Sequence, residues 1–167
     1  MGEKELVADG ESITYDGIFK PKDLVAYMRK ISKDMGYDLA EKSHNETVGE
    51  NGKTIEIKYE SSKNATDYIK KKFELKVKFD SIKEKIVEEK KQKVRYQTGK
   101  ITLTIDASVN TDYEDRWGEK KPAFYLFRQF FEKYVYSSYG KKIKAELRDE
   151  VNRFKDEMSA YMNLIKY

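Results

Sequence analysis

The chain has 167 residues, of which 38% are hydrophobic, 38% charged and 13% aromatic, and its formal net charge is +4. That length supports one domain with a real apolar core, and the aromatic share excludes a disordered polyelectrolyte. The lack of cysteine excludes disulfides, thiolate catalysis and sulfur-ligated zinc, and a lone histidine, His44, leaves no material for a histidine-rich metal site or a Ser-His-Asp triad.

The opening MGEKELVADGES has neither a basic leader nor an apolar run, so it does not read as a secretory signal. Residues 1–11 are expected to be disordered, and residues 1–167 to form a single α+β domain in the cytoplasm. In ESITYDGIF, Ile13, Tyr15, Gly17 and Phe19 share one parity, which predicts a strand over 11–19. KPKDLVAYMRKISKDMG follows. Pro21 suits a first helical turn, Asp23 favours that end through the helix dipole, and Leu24, Tyr27, Met28, Ile31 and Met35 fall on one face. Gly36 is the natural stop.

The middle of the chain is rich in strands. YDLAEKSHNETV is a weak one, and Asn51-Gly52 signals a tight turn after it. KTIEIKYES, KKFELKVKFD and KITLTIDASV then alternate strictly. Ile55, Ile57 and Tyr59, then Phe73, Leu75, Val77 and Phe79, then Ile101, Leu103 and Ile105 oppose polar neighbours. Such alternation means one buried face and one wet face, as in an antiparallel sheet covered on one side. KEKIVEE and KVRYQ lie between, joined by a hairpin connection at EKKQK, and Gly99 reads as a turn or a bulge.

Residues 63–100 hold 13 Lys and Arg against 6 Asp and Glu, whereas 1–62 hold 9 against 13. A basic sheet face with Lys76, Lys78, Lys83, Lys85, Lys93, Arg95 and Lys100 is one route to phosphate binding. The competing reading is a solvated face with charges paired across strands, because Glu74, Asp80, Glu84, Glu88 and Glu89 interleave. In TDYEDRWGEKK, Asp112, Glu114 and Asp115 read either as oxygen ligands or as acids favouring the start of the next helix, the reading preferred here. No metal site and no cofactor is expected.

The end of the chain is helical. From Pro122, Phe124, Leu126, Phe127, Phe130, Phe131, Tyr134 and Val135 share half a helical wheel, opposite Arg128, Gln129, Glu132 and Lys133. Those charges exclude a membrane span. The rings form the buried face of a wide amphipathic helix. They exceed what a plain sheet cover needs, so Phe124, Phe127, Phe130, Phe131 and Tyr134 are the candidate ligand-binding residues, with a small apolar ligand as partner. Tyr125, Tyr136 and Tyr139 fall on the polar half and are the candidate partner surface. After Gly140, Ile143, Leu147, Val151, Phe154, Met158, Tyr161 and Ile165 make a narrow stripe. Residues 151–165 have two readings, packing within the chain or the seam of a homodimer.

Strand SITYDGIF, helix PKDLVAYMRKISKDMG, a run of antiparallel strands and a C-terminal helix from Pro122 together resemble the helix-grip layout of the START and plant pollen-allergen superfamily. The resemblance is one of element order, with no signature motif. It implies a curved sheet gripping the C-terminal helix, with a hydrophobic ligand between them. The function expected is therefore a non-catalytic binding domain that holds an apolar ligand or a protein partner between sheet and aromatic helix. A lysine-rich protein that binds nucleic acid or an anionic surface is the alternative.

Overall fold

A computed structural model describes residues 4–66, 69–111 and 138–165. The described elements are β1 (Lys4–Phe19), α1 (Pro21–Asp34), β2 (Ala40–Gly49), β3 (Gly52–Asn64), β4 (Ile69–Glu89), β5 (Gln92–Thr111) and α2 (Ser138–Ile165). The strands form one antiparallel sheet in the order β1-β5-β4-β3-β2, and α2 packs across it, so the α+β arrangement expected from the alternating strands is the one observed.

Parity decides the sheet. Tyr15, Phe19, Ile57, Tyr59, Phe73, Leu75, Val77, Phe79, Ile101, Leu103 and Ile105 all lie on the helix-covered face and are buried. On the opposite face Lys72 reaches Glu60 and Glu74 at 3.1 and 3.0 Å, Lys76 reaches Glu56 at 3.1 Å, and Lys78 lies 4.0 Å from Asp80. Lys72, Lys76 and Lys78 therefore have acidic partners, as on a solvated face with charges paired across strands.

α1 starts at Pro21, with Asp23 in its first turn. Gly36 closes it in the left-handed conformation at φ 89°, and its N–H donates to the Lys33 carbonyl at 2.9 Å. Leu24, Met28 and Ile31 are buried.

Three boundaries differ from the sequence reading. Residues 4–11 are not disordered; they extend β1, pairing from Lys4↔Asn110 to Glu11↔Ile105. Asp9 and Gly10 mimic a turn in sequence but occupy an irregularity in the pairing. Gly10 sits at φ 61° and its N–H donates to the Asp106 carboxylate at 2.6 Å. The β2–β3 turn has Glu50 and Asn51 at its centre, one residue earlier than the Asn51-Gly52 signal. KEKIVEE and KVRYQ are not separate strands but the continuations of β4 and β5.

The reason for that continuity is a bulge. Between Asp80 and Lys83 the register slips, and Ser81 takes φ 54°. The bulged segment presses its backbone on both neighbouring strands: a Cβ on Gly99 would stand 2.6 Å from the Asp80 carbonyl oxygen, and one on Gly52 2.8 Å from that of Ile82. Only glycine fits there. Gly99→Ala is expected to destabilise the domain by about 1–3 kcal/mol, the range for overpacking against a fixed backbone. Urea unfolding checks this, and an unchanged midpoint would show that the bulge yields freely.

The C-terminal stripe resolves within one chain. Leu147, Val151, Phe154 and Met158 are fully buried, with Phe154 edge-on to Phe73 at 5.5 Å and Tyr161 stacked on Tyr27 at 4.3 Å. The homodimer seam is thereby corrected: sheet and α1 already occupy the face it needs. Charged residues beside the stripe are engaged as well. Lys144 pairs with Glu5 at 2.7 Å, and Arg148 and Lys155 both bind Glu11, the latter at 3.1 Å.

Glu11 gives the fold an acid limb. Partial burial would raise its carboxyl, but hydrogen bonds and charge from Arg148 and Lys155 outweigh burial and hold it below the usual carboxylate range. A depressed folded-state value means stability is complete above the unfolded value and is lost as pH falls through the folded one. Stability is therefore expected to be flat near neutrality and to drop below about pH 4.5. Glu11→Gln should lower the plateau and flatten the limb, read by thermal melts across pH 2–7; a limb of unchanged slope would assign the acid loss to other carboxylates.

Candidate functional site

α2 crosses the β1 side of the sheet, while α1 leans over the β3 side without closing on it. Between α1 and the sheet lies a cleft of about 700 Å³. Its floor is the apolar face of the sheet: Phe19, Ile55, Ile57, Tyr59 and Phe79. Phe19 and Phe79 stack at 5.5 Å and fix one end. The roof is the side of α1 that carries Val25, Ala26 and Arg29, one step around the helix from the buried Leu24 and Met28.

The mouth is polar and mostly cationic. Lys20, Lys22, Arg29 and Arg95 line it against Asp23 and Glu41. Arg29 lies over the Tyr59 ring at 5.2 Å and donates to the Leu39 carbonyl at 3.2 Å, which fixes its guanidinium above the floor. Burial raises the Tyr59 hydroxyl above its ordinary value, with the Arg29 charge acting the other way, so Tyr59 stays a neutral donor. Lys20 sits over the Tyr96 ring at 4.8 Å.

His44 lines the same mouth. It is exposed, as expected, but not unpaired: Glu41 and Glu46 lie 3.4 and 3.2 Å from its two ring nitrogens. The Glu46 carboxylate is held low, first by Lys53 and then by His44. Gln97 closes the wall beside Phe19, and its side-chain Oε1 is buried with no hydrogen-bond partner among the described residues.

A second polar cluster lies at the opposite end of the sheet, under α2. Lys71 is 4% exposed and its ammonium lies 2.9 Å from Glu150, which also accepts from the Tyr37 hydroxyl. Lys63 approaches Glu150 at 3.8 Å and donates to the Met35 carbonyl at 3.0 Å, and Glu146 lies 3.9 Å from Lys71. Burial, then Glu150, push the Tyr37 hydroxyl far above its ordinary value, so it acts only as a donor. Every charge in this cluster has a partner, which marks it as a device for fixing α2 on the sheet.

The candidate residues named from sequence fall differently. Phe124, Phe127, Phe130, Phe131 and Tyr134, and Tyr125 and Tyr136, lie outside the described residues, as do Asp112, Glu114, Asp115 and the side chain of Tyr139. The described lining of the cleft comes from β1, α1, β2, β3, β4 and β5. Its floor residues were identified in sequence only as core, and its mouth residues were not identified as a group. Ile55, Ile57 and Tyr59 carried the right parity, but exposure of part of the apolar face depends on where two helices land.

Among the described residues no group of three or more His, Asp or Glu is placed to hold a metal ion, and no helix is long and apolar enough to cross a membrane. Comparison with protein-family models, curated proteins and solved structures gives no match. The functional reading therefore rests on the geometry of the cleft.

Proposed function

We propose that this protein is a non-catalytic binding domain that holds a small apolar ligand with an anionic end between α1 and the sheet. The observation that carries this reading is the cleft itself: about 700 Å³ over an aromatic and aliphatic floor, with Arg29 fixed at its mouth. Natural small-molecule pockets have this size range and this mix of apolar lining and few placed polar groups. Among the described residues at the mouth, four cations stand against two carboxylates, which favours a carboxylate, sulfonate or phosphate head. Among the described lining residues there is no serine, threonine or cysteine, and the one imidazole lies between two carboxylates, which supports binding over nucleophilic chemistry. The first strand beside the last, with a helix across the sheet, supports the helix-grip likeness, here with the ligand under α1 rather than under the aromatic segment.

The experiment is a fluorescence titration with anilinonaphthalene sulfonate, a flat apolar probe with one sulfonate. Saturable binding with a blue shift is expected, and Val25→Trp, which fills the roof, should abolish it while leaving the circular dichroism intact. Equal binding by the variant, or no saturable binding by the folded wild type, would overturn the reading.

A further inference from the structure

Beyond the bulge at Ser81, β4 and β5 leave the sheet. β3 pairs with β4 only as far as Ile82, and β1 pairs with β5 only as far as Gln97. Among the described residues, 83–96 therefore form a two-stranded ribbon with no strand on either edge, about 23 Å from base to tip at the usual strand rise. An isolated ribbon of this kind has little stability of its own, so its length calls for another reason.

Charge supplies one. The ribbon carries six cations, Lys83, Lys85, Lys90, Lys91, Lys93 and Arg95, against Glu84, Glu88 and Glu89. Arg95 pairs with Glu84 at 3.8 Å; among the described residues, the five lysines have no carboxylate within ion-pair distance. On the sheet body, by contrast, Lys72, Lys76 and Lys78 are paired with carboxylates. The tip repeats the point. Lys90 and Lys91 form its two-residue turn at φ 48° and 66°, the left-handed geometry that Asn-Gly fits and lysine does not. Two cations occupy the one place on the ribbon where backbone chemistry disfavours them.

We infer that the ribbon of residues 83–96 is a contact arm for double-stranded DNA, seated in the major groove with its lysines on the flanking phosphates. The groove admits a two-stranded ribbon, and free strand edges leave backbone N–H groups available to phosphate oxygens. Five lysines and a single arginine supply point charges rather than forked donors, so the binding is independent of base sequence. The arm lies outside the cleft wall except at Arg95, and the inference does not rest on the cleft's ligand.

The test is fluorescence anisotropy of the full chain with a labelled 20-base-pair duplex over 50–200 mM NaCl. About five phosphate contacts give a log–log salt slope near −4.5, a loss of affinity on the order of several hundred-fold across that range. Two unrelated duplexes should agree within about twofold. Lys90→Asn/Lys91→Gly should melt no lower than wild type, because it installs the preferred turn, and its slope should be shallower by about 2. Lys76→Gln/Lys78→Gln on the sheet body should leave the slope unchanged. No binding by wild type at 50 mM NaCl, an unchanged slope in the tip variant, or tighter binding to phosphatidylserine vesicles than to DNA at equal salt would each overturn the arm's assignment.

Discussion

Glu150→Ala is expected to lower the free energy of unfolding by about 3–5 kcal/mol, the range for stripping one partner from a buried ion pair. Lys71, 4% exposed, would keep its charge with only the half-exposed Glu146 nearby at 3.9 Å, and the Tyr37 hydroxyl would lose its acceptor. For a chain of 167 residues that corresponds to a fall in Tm of roughly 10 °C. The pair is not needed for net stability, because well-packed neutral groups do as well as buried charges. Lys71→Met/Glu150→Gln should therefore recover most of the loss, with the amide oxygen still accepting from Tyr37. Chemical denaturation of Lys71→Met, Glu150→Gln and the double variant closes a cycle whose coupling term should exceed about 1 kcal/mol. Additive effects would mean that Lys71 and Glu150 do not act as a pair.

Phe154→Ala should cost about 3–5 kcal/mol, as for other buried aromatic truncations. Its ring is fully buried and meets Phe73 edge-on at 5.5 Å, so truncation removes both packing and an aromatic pair. Sedimentation should show no change of oligomeric state with the loss of stability. A variant that stays as stable as wild type but dissociates from a dimer to a monomer would restore the seam that the intramolecular packing replaces.

Strict period-2 alternation from Ile55 to Tyr59, from Phe73 to Phe79 and from Ile101 to Ala107 made the sheet legible, because burial on one face leaves no other parity. α1 was legible from Pro21, Asp23 and Gly36. What escaped lay where one residue type fits two structures. Asp9-Gly10 falls in the segment expected to be disordered and forms an irregularity within β1. Ser81-Ile82 reads as a break and is a bulge that keeps the strand running. Lys71 stands on the buried parity two residues before Phe73, so the alternation already placed it inside; its charge hid that. Glu150 escaped for the matching reason, since its partner lies 79 residues away. The cleft was not legible, since it depends on the gap that α1 and α2 leave over the sheet.

The ribbon illustrates the same limit from the other side. Sequence showed a basic segment with interleaved acids, and two opposed readings followed. The structure divides the segment at the bulge: Lys72, Lys76 and Lys78 before it are paired with carboxylates, and Lys83, Lys85, Lys90, Lys91 and Lys93 beyond it have no carboxylate partner among the described residues. Composition averages over that boundary.

The central claim is that the cleft between α1 and the β3 side of the sheet holds an apolar ligand with an anionic end. Its most direct test is a ¹⁵N–¹H correlation titration with dodecanoate, using dodecanol as the neutral counterpart. The account predicts saturable amide shifts confined to Lys20–Arg29, Ile55–Tyr59 and Arg95–Gln97, with dodecanoate the tighter of the two. The absence of saturable shifts, or shifts centred on α2 and β1 instead, would contradict it.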